Sequence, residues 1–496
     1  MKQVPILALV VVFTLAAAAW LVAFACGYVE IGVVGEWTWN RHNTVAAIDV
    51  AIPIVIACVV IAAYLWTVRT LARKVDGSNG LAKVVVPFVA LLGFFVLWSV
   101  QSCAPSPHRQ LKPNWVLYHW GASGYFEDAR ELESLNQYLA SYEEEMAKGE
   151  VLHKGTHPPG LVMANYGLVK LCRDNENIAT AIQATIPGSV AKAFGDEVPK
   201  FRLPENERAA LWLSILITQL LAAFTLVPLY GLLRRTLDAD RSLLLASLWP
   251  LVPGVAVFLP KSDALYPIIG CTFLFFALAA WDKGSWWRAT IAGVTFWLGM
   301  MLSLAMLPFA VITAMQALIR YRDARPNRRG MTASIAGTIG SFAMMTLLFH
   351  QLTGVALWRT WLMNYQNHAS FYEQFERSYT KWLVMNPLEL VLTLGAPILM
   401  AALLGAFTAI RSRNKTAIAT SAAVFGTWLL LFLSGKNLGE AARLWVLLTP
   451  TFVWACSSIL AEHEQGAHRT WLVLAMCQAS IAVLTTYVVN GFSPPL

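Results

Sequence analysis

Between residues 153 and 160 the chain reads HKGTHPPG: two histidines, a lysine and a Pro-Pro-Gly brake at the mouth of the apolar segment GLVMANYGLVKLC. Imidazole and ammonium groups gathered in this way can hold an anion or pass a proton. His153 and His157 stand four apart, the spacing of two metal ligands on a helix, but Gly155 and the prolines work against a regular helix there. Three further stretches place titratable groups beside aromatics or glycines: VGEWTWN with Glu36, GYFEDAREL with Glu127 and Asp128, and SGKNLGEAARLW with Lys436, Glu440 and Arg443. Lys261 and Asp263 follow Pro260. A carboxylate in such a place can take a proton from a hydroxyl, and an arginine fork matches a phosphate.

Each group also has a plainer role. Asp128 sits among Arg130, Glu131 and Glu133 and could be the solvated face of an interfacial helix, while Glu36 could anchor a loop. His157 could be a turn residue bonded to backbone. Arg443 could reach headgroups from the start of its span, and Lys261 could pair with Asp263. Arg377 and Lys381 read as solvated loop charges.

The elements that must position these groups are membrane helices. Of 496 residues, 57% are hydrophobic and 13% charged, against roughly 25% charged in a soluble domain. Apolar runs long enough for a hydrocarbon core of about 30 Å recur along the chain, and lipid leaves their backbone no partners outside a helix. The expected spans are 4–26, 45–68, 82–104, 209–232, 241–259, 264–281, 287–303, 304–320, 331–350, 387–410, 416–433, 443–460 and 470–490, thirteen in all. The first is expected to be a retained helix, since its apolar core is long and no A-x-A-type site ends it. The 158–190 segment is either a surface or re-entrant pair or two short spans, and 13 apolar residues favour the former.

The seven cysteines form no CxxC, which indicates neither a structural zinc site nor a disulfide framework. The net charge of +8 comes from short loops on one side, among them GLLRRTLDADR, WDKGSWWR, RYRDARPNRRG and RSRNK. Lys and Arg flanking helices mark that side as cytoplasmic, together with the N-terminus, and remove the case for nucleic-acid binding. The opposite side receives residues 27–44, the long 105–208 segment, KSD, the 351–386 loop, SGKNLGEAAR and seven of the nine histidines: 42, 108, 119, 153, 157, 350 and 368. In the outer loop Phe126, Leu132, Leu135, Tyr138, Leu139 and Tyr142 fall near helical spacing, which predicts one or two helices lying flat on the membrane. Span interiors such as 51–68 and 264–280 carry no acid or base, which favours chemistry at the outer surface over conduction through the middle.

A membrane helix, an outer loop with acids beside aromatics in GYFEDAREL, and a His-Pro-Pro element opening an apolar helix together resemble the GT-C superfamily of membrane glycosyltransferases. That group includes protein O-mannosyltransferases and lipid A aminoarabinose transferases. SFYEQFERSYTKWLVMNP and GKNLGEAARLWVLLTP are similar to stretches of bacterial members, and the likeness covers residues 82–460. It implies an all-α, polytopic fold with two N-terminal helices (1–81), a GT-C-like core with outer loop 105–208 (82–460) and a C-terminal helix and tail (461–496). It implies sugar transfer, with inversion, from a polyprenyl-phosphate donor to a glycan, lipid or protein outside the cytoplasmic membrane. Asp128, Glu127 or Glu36 would be the base, and Lys154, His153, His157, Lys436, Glu440, Arg443, Lys261 and Asp263 the substrate-binding set. Acidic GT-C sites sometimes hold a divalent ion, so a metal is allowed but not specified. The chain departs from the family in having two spans before the core, and Glu127-Asp128 where many relatives show an aspartate soon after a first helix. The rival readings are a transporter or flippase of lipid-linked glycans and a non-catalytic membrane scaffold.

Overall fold

In a computed structural model the protein is described over residues 3–42, 47–76, 79–119, 121–196, 203–323, 328–461 and 466–492. Residues 45 and 46, at the start of the second expected span, lie outside that set, as do parts of 105–208, of RYRDARPNRRG and of the tail. Among the described residues ten helices are long and apolar enough to cross a membrane. The count is eleven if the pair Tyr379–Leu394 and Ala396–Arg411, bent by 104°, forms one broken span. The chain is therefore a multi-pass, helical membrane protein.

The difference from thirteen has local causes. The expected 241–259 span is a helix Ala239–Ala246, a 3-10 turn Trp249–Leu251 and a short helix Pro253–Phe258, because Pro250 and Pro253 supply no amide donors to continue a ladder. Residues 387–410 split at Gly395, whose φ of 85° is open to glycine at no steric cost. The helix Trp286–Leu302 has 17 residues, about 26 Å of rise against about 30 Å of hydrocarbon. In the 158–190 segment, Gly160–Asp174 and Glu176–Gln183 have 15 and 8 residues and are not among the spanning candidates.

Lipid supplies no hydrophobic drive for one helix to join another, so close packing does that work. Gly293 shows how close: a Cβ there would lie 2.2 Å from the Thr338 carbonyl oxygen, so Trp286–Leu302 and Arg328–Thr353 meet backbone to backbone. Apolar side chains that find no protein partner, such as Val12, Leu15, Ile52, Val59 and Ile339, stay exposed, as a lipid-facing surface requires. Sheet is limited to two-residue ladders among the described residues. Gly32–Val33 pairs antiparallel with Trp37–Thr38, and Asn40–Arg41 with Val489–Asn490, which ties the segment after the first helix to the end of the last one.

The two classes of loop separate in space. Arg235, from GLLRRTLDADR, and Arg320, from RYRDARPNRRG, both pair with Asp282 of WDKGSWWR, at 2.5 and 3.3 Å. The HKGTHPPG, KSD, 351–386 and SGKNLGEAAR segments converge elsewhere, around one cavity. These groups sit at opposite ends of shared helices: Glu205–Leu233 carries Glu207, paired with Arg130 and Arg173, at one end and leads into Arg234–Arg235 at the other.

Candidate functional site

The HKGTHPPG turn is folded by a residue outside it. The Glu150 carboxylate accepts the backbone amides of Leu152, His153 and Gly155 at 2.7, 3.0 and 2.8 Å, which curls the segment onto itself. Gly155 is required, since a Cβ would sit 2.1 Å from the Glu150 carbonyl oxygen. From the helix Leu357–Gln374, Asn364 and Asn367 each donate to the Gly155 carbonyl, at 2.8 and 2.9 Å, and the Tyr142 hydroxyl donates to that of His157. Pro159 then caps the helix Gly160–Asp174, where its missing amide costs nothing. The expected flat helices are three short ones, Tyr125–Glu131, Leu135–Ala140 and Tyr142–Ala147, with Phe126, Leu139 and Tyr142 buried beneath them.

The turn forms one wall of a cavity of about 400 Å³. Its lining combines the polar His153, His157, Lys261, Asp263, His368, Arg377, Lys436, Glu440 and Arg443 with the apolar Leu304, Ala305, Leu307, Pro308, Leu431 and Leu447. Four basic side chains, Lys261, Arg377, Lys436 and Arg443, share the lining with two carboxylates. Burial, reinforced by Arg443 and opposed by Asp263 and Glu440, pushes the Lys261 ammonium down to about 7. It donates to the Ala122 carbonyl. Burial and the nearby Lys261 push His157 down to about 3 and hold His153 well below its ordinary value. Both imidazoles are therefore neutral near pH 7 and serve as hydrogen-bonding groups, not as charges. His368 is lowered as well, by burial and by Lys436.

The SGKNLGEAARLW part of the lining is held by its own bonds. Glu440 holds a left-handed backbone, φ 54°, and its carboxylate lies 2.7 Å from the Arg443 guanidinium. Arg443 Nε is buried without a hydrogen-bond partner, as is Arg377 Nε. Such groups are costly to leave bare and are satisfied by an arriving acceptor. Glu389 accepts the Ala442 amide at 2.7 Å, Asn386 donates to the Asn437 carbonyl at 2.9 Å, and the Tyr372 hydroxyl donates to that of Lys436 at 2.7 Å. The Lys436 ammonium stands 4.6 Å over the Tyr365 ring.

A second cavity, about 610 Å³, adjoins the first, and His157 lines both. Asp128, Glu131, Glu133, Glu145, Glu150, Lys148 and Lys154 surround it together with Tyr138 and Tyr142. Lys154 is ion-paired with Asp128. Burial raises the Asp128 carboxyl against the pull of that lysine, which makes it a better proton acceptor.

The sequence-derived candidates thus fall into three places. His153, His157, Lys261, Asp263, Lys436, Glu440 and Arg443 meet around one cavity, Asp128 and Lys154 open onto its neighbour, and Glu127 and Glu36 line neither. Glu36 accepts the Ser378 amide at 2.8 Å, the Trp382 indole at 2.9 Å and Lys381 at 3.2 Å, so it anchors the loop that presents Arg377. Burial would raise its carboxyl, but these bonds together hold it below its ordinary value. Arg377 therefore lines the cavity, whereas Lys381, 61% exposed, is the solvated charge expected of it, paired with Glu36. Of the seven outer histidines, 153, 157 and 368 reach the cavity; His42 packs on His108 at 4.5 Å and His350 on Trp358 at 4.9 Å. Among the described residues no group of three or more His, Cys, Asp or Glu could hold a metal ion. Glu150, Asn364, Asn367 and Glu389 were missed by sequence reasoning, since each looks like any other polar residue until its distant partner is known.

Compared with known proteins, the chain matches no protein-family model and no curated protein.

Proposed function

We propose that the protein is a GT-C-type membrane glycosyltransferase, which moves a sugar from a polyprenyl-phosphate-linked donor to a glycan, lipid or protein acceptor outside the cytoplasmic membrane. One observation carries this: a cavity lined both by four basic side chains against two carboxylates and by apolar side chains, among them Leu307, which is 45% accessible. A phosphate esterified to a long hydrocarbon matches both kinds of lining at once. Arg443 brings an unmet donor to the phosphate, and Lys261 gains a counter-charge where its own charge is poorly solvated.

In the step itself the acceptor hydroxyl oxygen bonds to the anomeric carbon from the side opposite the phosphate, and the bond from that carbon to the phosphate oxygen breaks. The hydroxyl proton passes to Asp128, approached through the acidic cavity. The bond electrons leave with the lipid phosphate, whose growing charge is held by Arg443, Lys261 and Lys436. His157, shared by both cavities, hydrogen-bonds between donor and acceptor as a neutral group. Direct displacement of this kind inverts the sugar.

The test is sugar incorporation from radiolabelled polyprenyl-phosphate donor in membranes. Asp128→Asn is expected to lower transfer by about 10²–10⁴-fold, and Arg443→Ala by about 10²–10³-fold. Full transfer by Asp128→Asn, Arg443→Ala and His157→Ala alike would overturn these roles. Movement of lipid-linked glycan across vesicles without sugar consumption would replace the enzyme with a flippase.

A further inference from the structure

At the end of the molecule opposite the candidate site, a cavity of about 520 Å³ is lined by Arg234, Arg235, Lys283, Arg288, Arg320 and one carboxylate, Asp282. Loop cations that merely set topology are free to spread into water. Here five, from three separate stretches of chain, are drawn round one space with a single counter-charge, which relieves their mutual repulsion only in part. Two are substantially buried: the Arg235 and Arg320 side chains are 12% and 20% exposed, and both already share Asp282. Arg235 Nε is buried with no hydrogen-bond partner. The Arg288 guanidinium lies 4.8 Å over the Trp287 ring, and Trp286 and Trp287 are 77% and 45% exposed, as aromatic residues at headgroup depth are.

We propose that this cavity binds a phosphate group, carried either by an anionic lipid headgroup or by a small soluble phosphate. Forked arginines at headgroup depth suit the tetrahedral oxygens of such a group. The site is independent of the transfer chemistry, whose cavity shares none of these residues.

The test uses the purified full-length protein at fixed ionic strength, in two arms: radiolabelled inorganic phosphate in detergent, and phosphatidylglycerol against phosphatidylcholine in nanodiscs, with retained lipid counted by native mass spectrometry. Arg288→Gln leaves the Asp282 pairs intact and should weaken binding in the responding arm by about tenfold. Arg235→Gln should do at least as much, while Arg411→Gln, an exposed cation outside the cavity, should leave it unchanged. A response only with phosphatidylglycerol assigns a lipid headgroup, and a response to inorganic phosphate a soluble ligand. No binding in either arm, equal binding by wild type and Arg288→Gln, or equal loss with Arg411→Gln would overturn the proposal.

Discussion

Three side chains illustrate how differently single residues are used here. Glu440 keeps a left-handed backbone at about 1 kcal/mol, which suggests that the cavity needs its carboxylate beside Arg443 more than the loop needs comfort. Glu440→Gly is expected to lower both the melting temperature and transfer, because the loss of the carboxylate beside the largely buried Arg443 outweighs the backbone relief; thermal unfolding and the membrane assay would reveal both. Glu36 is the reverse case. Removing it with Glu36→Ala strands the Ser378 amide and the Trp382 indole, at about 1–3 kcal/mol for a stranded donor, so stability should fall while turnover per folded molecule persists. Because its folded carboxyl lies below the ordinary 4.5, its contribution is complete above that value and is lost as pH falls through the lowered one. Lys261, pushed down to about 7, is only partly charged at neutral pH. A bound phosphate raises it, so binding takes up a proton: donor affinity should be highest below pH 7 and decline as pH rises through it. A dissociation constant that stays flat across that window would remove Lys261 from the phosphate site.

At the scale of elements, the decisive object is the turn pinned by Glu150 and by two asparagines of a helix some two hundred residues away in the chain. Glu150→Ala frees three backbone amides at once. It should cost about 2 kcal/mol, loosen the turn towards proteases and lower transfer. Gly155→Ala should be worse, because the added methyl meets backbone and not a movable side chain. The broken helices matter in the same way. Prolines at 250 and 253 and the bend at Gly395 interrupt what would otherwise be plain spans, and Glu389, on the helix before that bend, is thereby brought to the Ala442 amide. Irregular backbone at membrane depth survives where protein, not lipid, surrounds it, and most residues of the segment Ala441–Ala461 that follows are buried.

For the whole molecule, the separation of a basic end from a cavity-bearing end makes a topological prediction. In a background lacking the exposed Cys26 and Cys58, a cysteine at Glu144 should react with an impermeant maleimide from outside intact cells, and one at Arg411 only after permeabilisation; the opposite pattern would reverse the proposed orientation. That two-ended design was legible in the sequence, because apolar run length and the one-sided placement of Lys and Arg are local quantities that lipid enforces span by span. So was the neighbourhood of HKGTHPPG, KSD and SGKNLGEAARLW, since loops on one side of a helical bundle have only one surface to share. Which acid among Glu36, Glu127 and Asp128 opens onto a cavity was not legible, nor was the diversion of Lys154 to Asp128. Those outcomes depend on contacts such as Glu36 with Trp382 and Gly155 with Asn364, across hundreds of residues of chain, and only the packed helices decide which distant partner reaches a buried polar group first.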